Sequence, residues 1–446
     1  MAASADVVIA GGGVAGASVA AALGEFGYSV IVVEPGIDEA RRLAGELIHP
    51  PGVSALAELG LLEPLEQAGV VPVVGFFVFP DAGSAGEACG LRYADAPGLR
   101  NQGFAMEHAA LRTTLLRSIA NFPYVKVWNG ARIVGVDLTD PNLASVRISM
   151  ENRQETLHCR MLVAADGGAS KISQMAGIGH RRVRISYMKG YVLRGAHLPQ
   201  PGYGNAFLGG PAPAFAYSTS PETVRVMFDI PDNPDGLAAV ERDSRYIEAL
   251  PEPFQSEVRD AVRTRSALVS ANYSFVPDDV VRGRLVLVGD AGGCCHPLTA
   301  TGMTVCTADA MRLRNAIRES AGDLSAALRL YVRRREGPLR TRRALAEALY
   351  ATFRANTPEM HVLRQGLIRY WRQSPKGRAA SMALLSTYEG RMSVMARQYA
   401  HVAWYGLTQP VCWREASSMQ WLTMRGRAVF GLSLTTLKYA GEALRP

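Results

Sequence analysis

Val7-Val8-Ile9-Ala10-Gly11-Gly12-Gly13-Val14-Ala15-Gly16, continued by small helix-forming residues to Leu23, decides the fold class of this 446-residue chain. The run Val7–Ala10 is continuously apolar, as in a strand buried on both faces of a parallel sheet. Gly11 permits the tight bend that follows, Gly13 lets a pyrophosphate approach the backbone, and Gly16 lets helix and strand pack closely. The unpaired N–H groups at the helix start, beside Ala15, form an anion site. Ser29-Val30-Ile31-Val32-Val33-Glu34 supplies the next strand, and Glu34 follows Gly16 by 18 positions. A carboxylate there accepts hydrogen bonds from ribose hydroxyls. A lone glycine motif is weak evidence. Strand, turn, helix, strand and terminal acid in register predict a dinucleotide-binding α/β domain, without separating NAD from FAD.

Two distant segments extend the pattern. Arg160-Met161-Leu162-Val163-Ala164-Ala165-Asp166-Gly167 is an apolar strand ending in Asp-Gly, and Arg284-Leu285-Val286-Leu287-Val288-Gly289-Asp290-Ala291 is another ending in Gly-Asp. Together with the first motif they resemble the flavoprotein monooxygenases related to para-hydroxybenzoate hydroxylase. The resemblance implies an α/β fold with a Rossmann-like FAD-binding domain, in which Asp290 bonds the ribityl chain and Asp166 supports the cofactor site.

The surrounding residues narrow the family. Arg42-Leu43-Ala44-Gly45-Glu46-Leu47-Ile48-His49-Pro50-Pro51-Gly52 is similar to the squalene epoxidase segment Arg-x-x-Gly-Glu-Leu-Leu-Gln-Pro-Gly-Gly. His296-Pro297-Leu298-Thr299-Ala300-Thr301-Gly302-Met303-Thr304 is similar to that family's His-Pro-Leu-Thr-Gly-Gly-Gly-Met-Thr. Shorter echoes lie at Arg225–Ile230 and Ala346–Tyr350. The resemblance implies FAD held by Gly11, Gly13, Ala15, Gly16, Glu34, Arg42, Arg112, Asp166, Gly289, Asp290, Gly302 and Met303. It also implies that His296, Pro297, Thr301, Gly302 and Met303 form the loop that positions the flavin, which itself carries the chemistry through a C(4a)-hydroperoxide. The resemblance makes NAD(P)H the expected electron source, directly or through a separate reductase, and O2 the expected oxidant. The expected reaction is epoxidation of a C=C bond in a lipophilic isoprenoid, prenylated aromatic or polyene of specialised metabolism. Aromatic-ring hydroxylation, polyprenyl reduction and non-catalytic lipid carriage are the alternatives.

Two departures from the family motif bear on substrate. His49 stands where squalene epoxidases have glutamine, and Phe76 stands near a tyrosine that the family pairs with it. Losing both polar partners points to a reshaped pocket, which puts squalene itself in question. His49, Phe76, Tyr191, Phe207, Phe215 and Tyr217 are the expected lining.

The flavin domain is expected to be discontinuous, from 1–75, 100–178 and 281–325. An antiparallel substrate sheet is expected over 76–99 and 179–280, and a basic helical region over 326–446. Residues 311–446 hold 23 Lys+Arg against 8 Asp+Glu, net +15, whereas the first 310 residues carry −7. Amphipathic basic helices with Trp371, Trp404, Trp413 and Trp421 suit a membrane surface or a helical cap. No nucleic-acid module is recognisable. Six cysteines without CxxC spacing point to a reducing compartment. Val7–Val33 opens with Asp6 and contains six glycines, so it reads as strand, turn and helix rather than a signal or span. The expected location is cytoplasmic, or peripheral on the inner membrane face. No metal cluster is expected.

Overall fold

The computed structural model describes residues 3–36, 43–81, 88–151, 153–232 and 239–408. The chain divides into two compact units: Met1–Val70, Phe104–Arg184 and Tyr273–Glu336 form the first, and Val71–Gly103, Ile185–Asn272 and Gly337–Pro446 the second. The C-terminal helices from Gly337 onward thus fall in one unit with most of the substrate sheet.

In the first unit the strand Ala3–Ala10 lies between Arg153–Ala164 and Val30–Glu34, parallel to both. Leu285–Leu287 adds in parallel beyond Arg153–Ala164, and Val125–Asn129 beyond Val30–Glu34. Side chains alternate across this sheet, so its apolar runs feed two cores. Val7, Ile9, Val30, Val32 and Val163 pack toward the helices Val14–Ala22, His108–Ala120 and Gly302–Glu319. Val8, Ile31, Val33 and Leu162 pack toward Ile133, Val146 and Ile148 of the antiparallel strands Arg132–Asp137 and Ala144–Met150. Because the central strands are parallel, the residues after Ala10, Ala164 and Leu287 emerge along one edge. Two hydrogen bonds draw them together: Ala165 N–H donates to the Ala10 carbonyl (2.9 Å), and Val288 N–H to that of Ala164 (3.0 Å). That edge is where ligands sit in such sheets.

The second sheet runs in the order Leu268–Pro277, His180–Arg194, Thr223–Pro231, Ala214–Ser220, Gly204–Phe207, Gly75–Phe79, Cys89–Arg92. Antiparallel pairs dominate, but Gly204–Phe207 pairs in parallel with Gly75–Phe79. More than a hundred residues separate those two strands, so no hairpin imposes the antiparallel sense. One face lies beneath the helices Ala239–Glu248 and Phe254–Thr264, which the sequence reading did not anticipate. Tyr246, Ile247, Phe254 and Val258 pack there against Tyr191, Phe207 and Phe228. Ring centroids lie 4.8 Å apart for Phe228–Tyr246 and 5.9 Å for Phe207–Phe254. Tyr191 and Phe207, expected to line a pocket, are therefore core residues. Register places Phe76, Phe215, Tyr217 and Met227 on the opposite face.

The helices Pro358–Gln373 and Met392–Leu407 cross at Gly366 and Gly406, where a Cβ on either would come within 2.6 Å of the other helix's backbone. Trp371 is buried and donates to Ser381 Oγ (2.9 Å), so it is core rather than an interfacial anchor. Trp404 is 66% exposed. Trp413 and Trp421 lie outside the described residues. Among the described residues no helix is long and apolar enough to cross a membrane, and no group of metal-ligating side chains occurs.

Candidate functional site

The first unit brings the three motif loops onto one edge. A Cβ built on Gly11 would lie 2.7 Å from the Ala165 carbonyl oxygen, and one on Gly16 would lie 1.9 Å from that of Gly11. Gly289 is equally enclosed: its Cβ would meet Cys306 Sγ at 2.8 Å and Ala15 Cβ at 3.0 Å. Gly13 differs, since a Cβ there would meet nothing within 4 Å. The wall in front of the Val14–Ala22 helix is thus closed by strand–helix packing and open where a pyrophosphate would approach.

Glu34 is buried at the end of its strand, and its Oε2 accepts from Gly12 N–H at 2.7 Å. Arg112, on the helix His108–Ala120, reaches Glu34 Oε1 at 3.4 Å, which joins two expected cofactor residues 78 positions apart. Asp166 Oδ2 accepts from Lys171 N–H (2.8 Å) and Ile172 N–H (3.2 Å), capping the short helix that follows. Its Oδ1 is buried with no hydrogen-bond partner among the described residues, leaving an acceptor to spare. Asp290 Oδ1 lies 3.9 Å from where a Gly302 Cβ would stand, so this carboxylate faces the start of the Gly302–Glu319 helix. An open cradle at a helix N-terminus, a strand-end carboxylate and a second acid at the adjacent strand end fit an FAD. Arg42 lies outside the described residues.

The loop before Gly302 is built around His49. This histidine is fully buried, and its Nε2–H donates to the Thr299 carbonyl at 2.9 Å, which sets the tautomer. Its backbone N–H donates to Thr304 Oγ1 (3.0 Å). Burial holds the ring down at about 4, with the Thr299 bond opposing it, so the imidazole is neutral near pH 7 and pins the loop rather than moving protons. His296 Nδ1 accepts from Leu298 N–H (3.2 Å), Pro297 opens a short 3-10 turn, and Ala300 takes a left-handed conformation at φ 51°. The Thr299 and Thr301 hydroxyls bond each other at 3.0 Å. Met303 is buried with its Cγ 3.6 Å from a Gly45 Cβ position, so the two family-like segments meet.

Sequence reading passed over Asp309 and Arg335, a buried ion pair behind the Gly289–Gly292 turn. Their signal was faint: two charged residues on otherwise apolar helix faces, 26 positions apart.

Solved structures with the same fold include the flavin-dependent brominase Bmp2 (TM-score 0.72, 16% identity, 91% of this chain and 100% of that one). Another is p-nitrophenol 4-monooxygenase PnpA from Pseudomonas putida (TM-score 0.72, 19% identity, 88% and 100%). These likenesses are of fold; the family matches that follow make the chain a flavin-dependent monooxygenase, which implies FAD, with NAD(P)H and O2 as co-substrates. A squalene epoxidase family model matches residues 158–421. Squalene epoxidase erg1 of Aspergillus fumigatus is 31% identical over 386 residues, covering 82% of this chain and 79% of its own. Squalene monooxygenase of Mus musculus is 28% identical over 412 residues, covering 90% and 71%. The chain belongs to the squalene epoxidase family.

Proposed function

We propose that this protein epoxidises a C=C bond of a lipophilic substrate other than squalene: another isoprenoid, a prenylated aromatic or a polyene. The balanced reaction is alkene + O2 + NAD(P)H + H+ → epoxide + NAD(P)+ + H2O. The observation that carries the reading is the meeting of three parallel strand ends on one cradle, with a neutral histidine at the position of the family's glutamine. Bound FAD would supply the two electrons that activate O2 for transfer of one oxygen atom to the alkene. The chain's own residues do the rest. Gly13 and the helix N-terminus would take the pyrophosphate, Glu34 and Arg112 the adenosine side, and Asp290 the ribityl chain. The Pro297–Met303 loop, held by His49, would pack on the ring and keep water from it. Small residues at Ala300 and Gly302 allow that close approach. Phe76, Phe215 and Tyr217 would contact the apolar substrate.

Electrons would reach the flavin through a separate NAD(P)H reductase. The net +15 of residues 311–446, with Trp404 exposed beside Arg397 and His401 on one helix face, supports docking of the cytoplasmic protein on an anionic membrane surface. The test is turnover of FAD-loaded protein with a reductase, NADPH and isotopically labelled O2 against squalene, a prenylated aromatic and a polyene. Epoxide carrying one labelled oxygen from one of the latter two is expected. Product formed without oxygen, or squalene as the preferred substrate, would overturn the corresponding part.

A further inference from the structure

Behind the Gly289–Gly292 turn lies a buried charge pair for which the proposed chemistry has no direct use. Asp309, on the helix Gly302–Glu319, is fully buried, and the side chain of Arg335, on the helix Leu324–Arg354, is 2% exposed. Asp309 Oδ2 accepts from Arg335 Nε (2.8 Å) and from Gly289 N–H (3.0 Å). Arg335 Nη1 donates to the Gly292 carbonyl (2.7 Å) and Nη2 to that of Gly289 (3.2 Å). Asp309 Oδ1 takes a further bond from Arg312 (2.9 Å). Tyr331, one helical turn before Arg335, donates to the Leu287 carbonyl (3.0 Å) just ahead of the turn.

A buried ion pair is a poor device for stability alone, because desolvation offsets most of its attraction and apolar side chains of like volume pack as well. What it provides is direction. A planar guanidinium and a carboxylate together bind a donor and two acceptors of one four-residue turn, and Gly289 in that turn has a left-handed φ of 62°. Between the two clamped carbonyls sits Asp290. A shift of well under 1 Å there is enough to misplace its carboxylate.

We infer that Asp309 and Arg335 are positioning residues: a buried carboxylate–guanidinium brace that sets the Gly289–Gly292 turn and so aims Asp290 at the cofactor. This rests on the reading of Asp290 as an FAD contact. Arg335→Lys keeps the charge but loses the fork. The double variant Asp309→Asn/Arg335→Gln removes both charges of the pair, and Arg312, the other partner of Asp309, is 24% exposed and so keeps access to water. Exposed Arg334, paired with Glu319, gives the control Arg334→Gln.

Each protein is purified without cofactor and titrated with FAD. Apoprotein melting, the FAD dissociation constant and the visible circular dichroism of bound flavin are recorded. Expected for both brace variants are a folded apoprotein, FAD binding weakened by about tenfold or more, and an altered flavin dichroism, with the control unchanged. If either folded variant binds FAD with wild-type affinity and dichroism, the brace does not position the site and the proposal fails. It fails equally if both variants lose their folded apoprotein, since the pair is then a fold element. Wild-type protein that takes up no FAD would instead sink the flavin reading itself.

Discussion

At the scale of single residues, His49 shows how burial converts a titratable group into a fixed hydrogen-bond donor. Its ring has no water to solvate a charge, and its Nε2–H is committed to a backbone carbonyl. In the folded protein it is held at about 4, against about 6.5 unfolded, so between those values the unfolded chain binds more protons. The stability this contributes is complete above pH 6.5 and is lost as pH falls toward 4, by about 3 kcal/mol over that window. Denaturant titrations at pH 7 and pH 4.5 measure it. His49→Gln, which cannot titrate, should flatten that part of the pH dependence while keeping a donor to Thr299. A His49→Gln protein with the wild-type acid sensitivity would remove this account of the loop.

At the scale of elements, the site depends on how closely strand ends approach helices. Gly289 leaves its strand with a positive φ and abuts both Ala15 and Cys306. Cys306 can turn its sulfur aside, but Ala15 Cβ is fixed to a helix backbone. Gly289→Ala therefore combines strain with overpacking, and a loss of about 2–4 kcal/mol in unfolding free energy together with loss of bound FAD is expected. Chemical denaturation and flavin absorbance of the purified variant check both.

The second sheet gives a contrasting prediction from register. Phe207 points into the core beneath two helices, so Phe207→Ala should cost about 3–5 kcal/mol and leave substrate selectivity among properly folded molecules unchanged. Phe215 occupies the other face, half-buried. Phe215→Ala should cost less stability and raise KM for the lipophilic substrate. Stability and KM measured on both variants separate the faces; equal effects would mean the assignment of faces to roles is wrong.

At the scale of the whole molecule, charge is distributed unevenly along the chain, with the excess cations in residues 311–446. If the proposed membrane docking is electrostatic, the protein should bind vesicles rich in anionic lipid and release them in 1 M salt, where the screening length is only about 3 Å. Co-sedimentation with anionic and zwitterionic vesicles tests this, and Trp404→Ala should weaken the anionic case. Binding that ignores both lipid charge and salt would contradict the electrostatic account.

The glycine turn, the helix that follows it and the strand-ending acids were legible from residue order alone, because each is specified by local physics. Backbone freedom, a continuous apolar run and a 3.6-residue period act within a few positions of one another. The faces of Tyr191 and Phe207, the burial of Trp371, the parallel pairing of Gly75–Phe79 and the Asp309–Arg335 brace were not legible. Alternation along a strand says that two faces exist but not which one a helix will cover. That choice, and the meeting of charges 26 residues apart, is made only when distant segments compete for the same buried space.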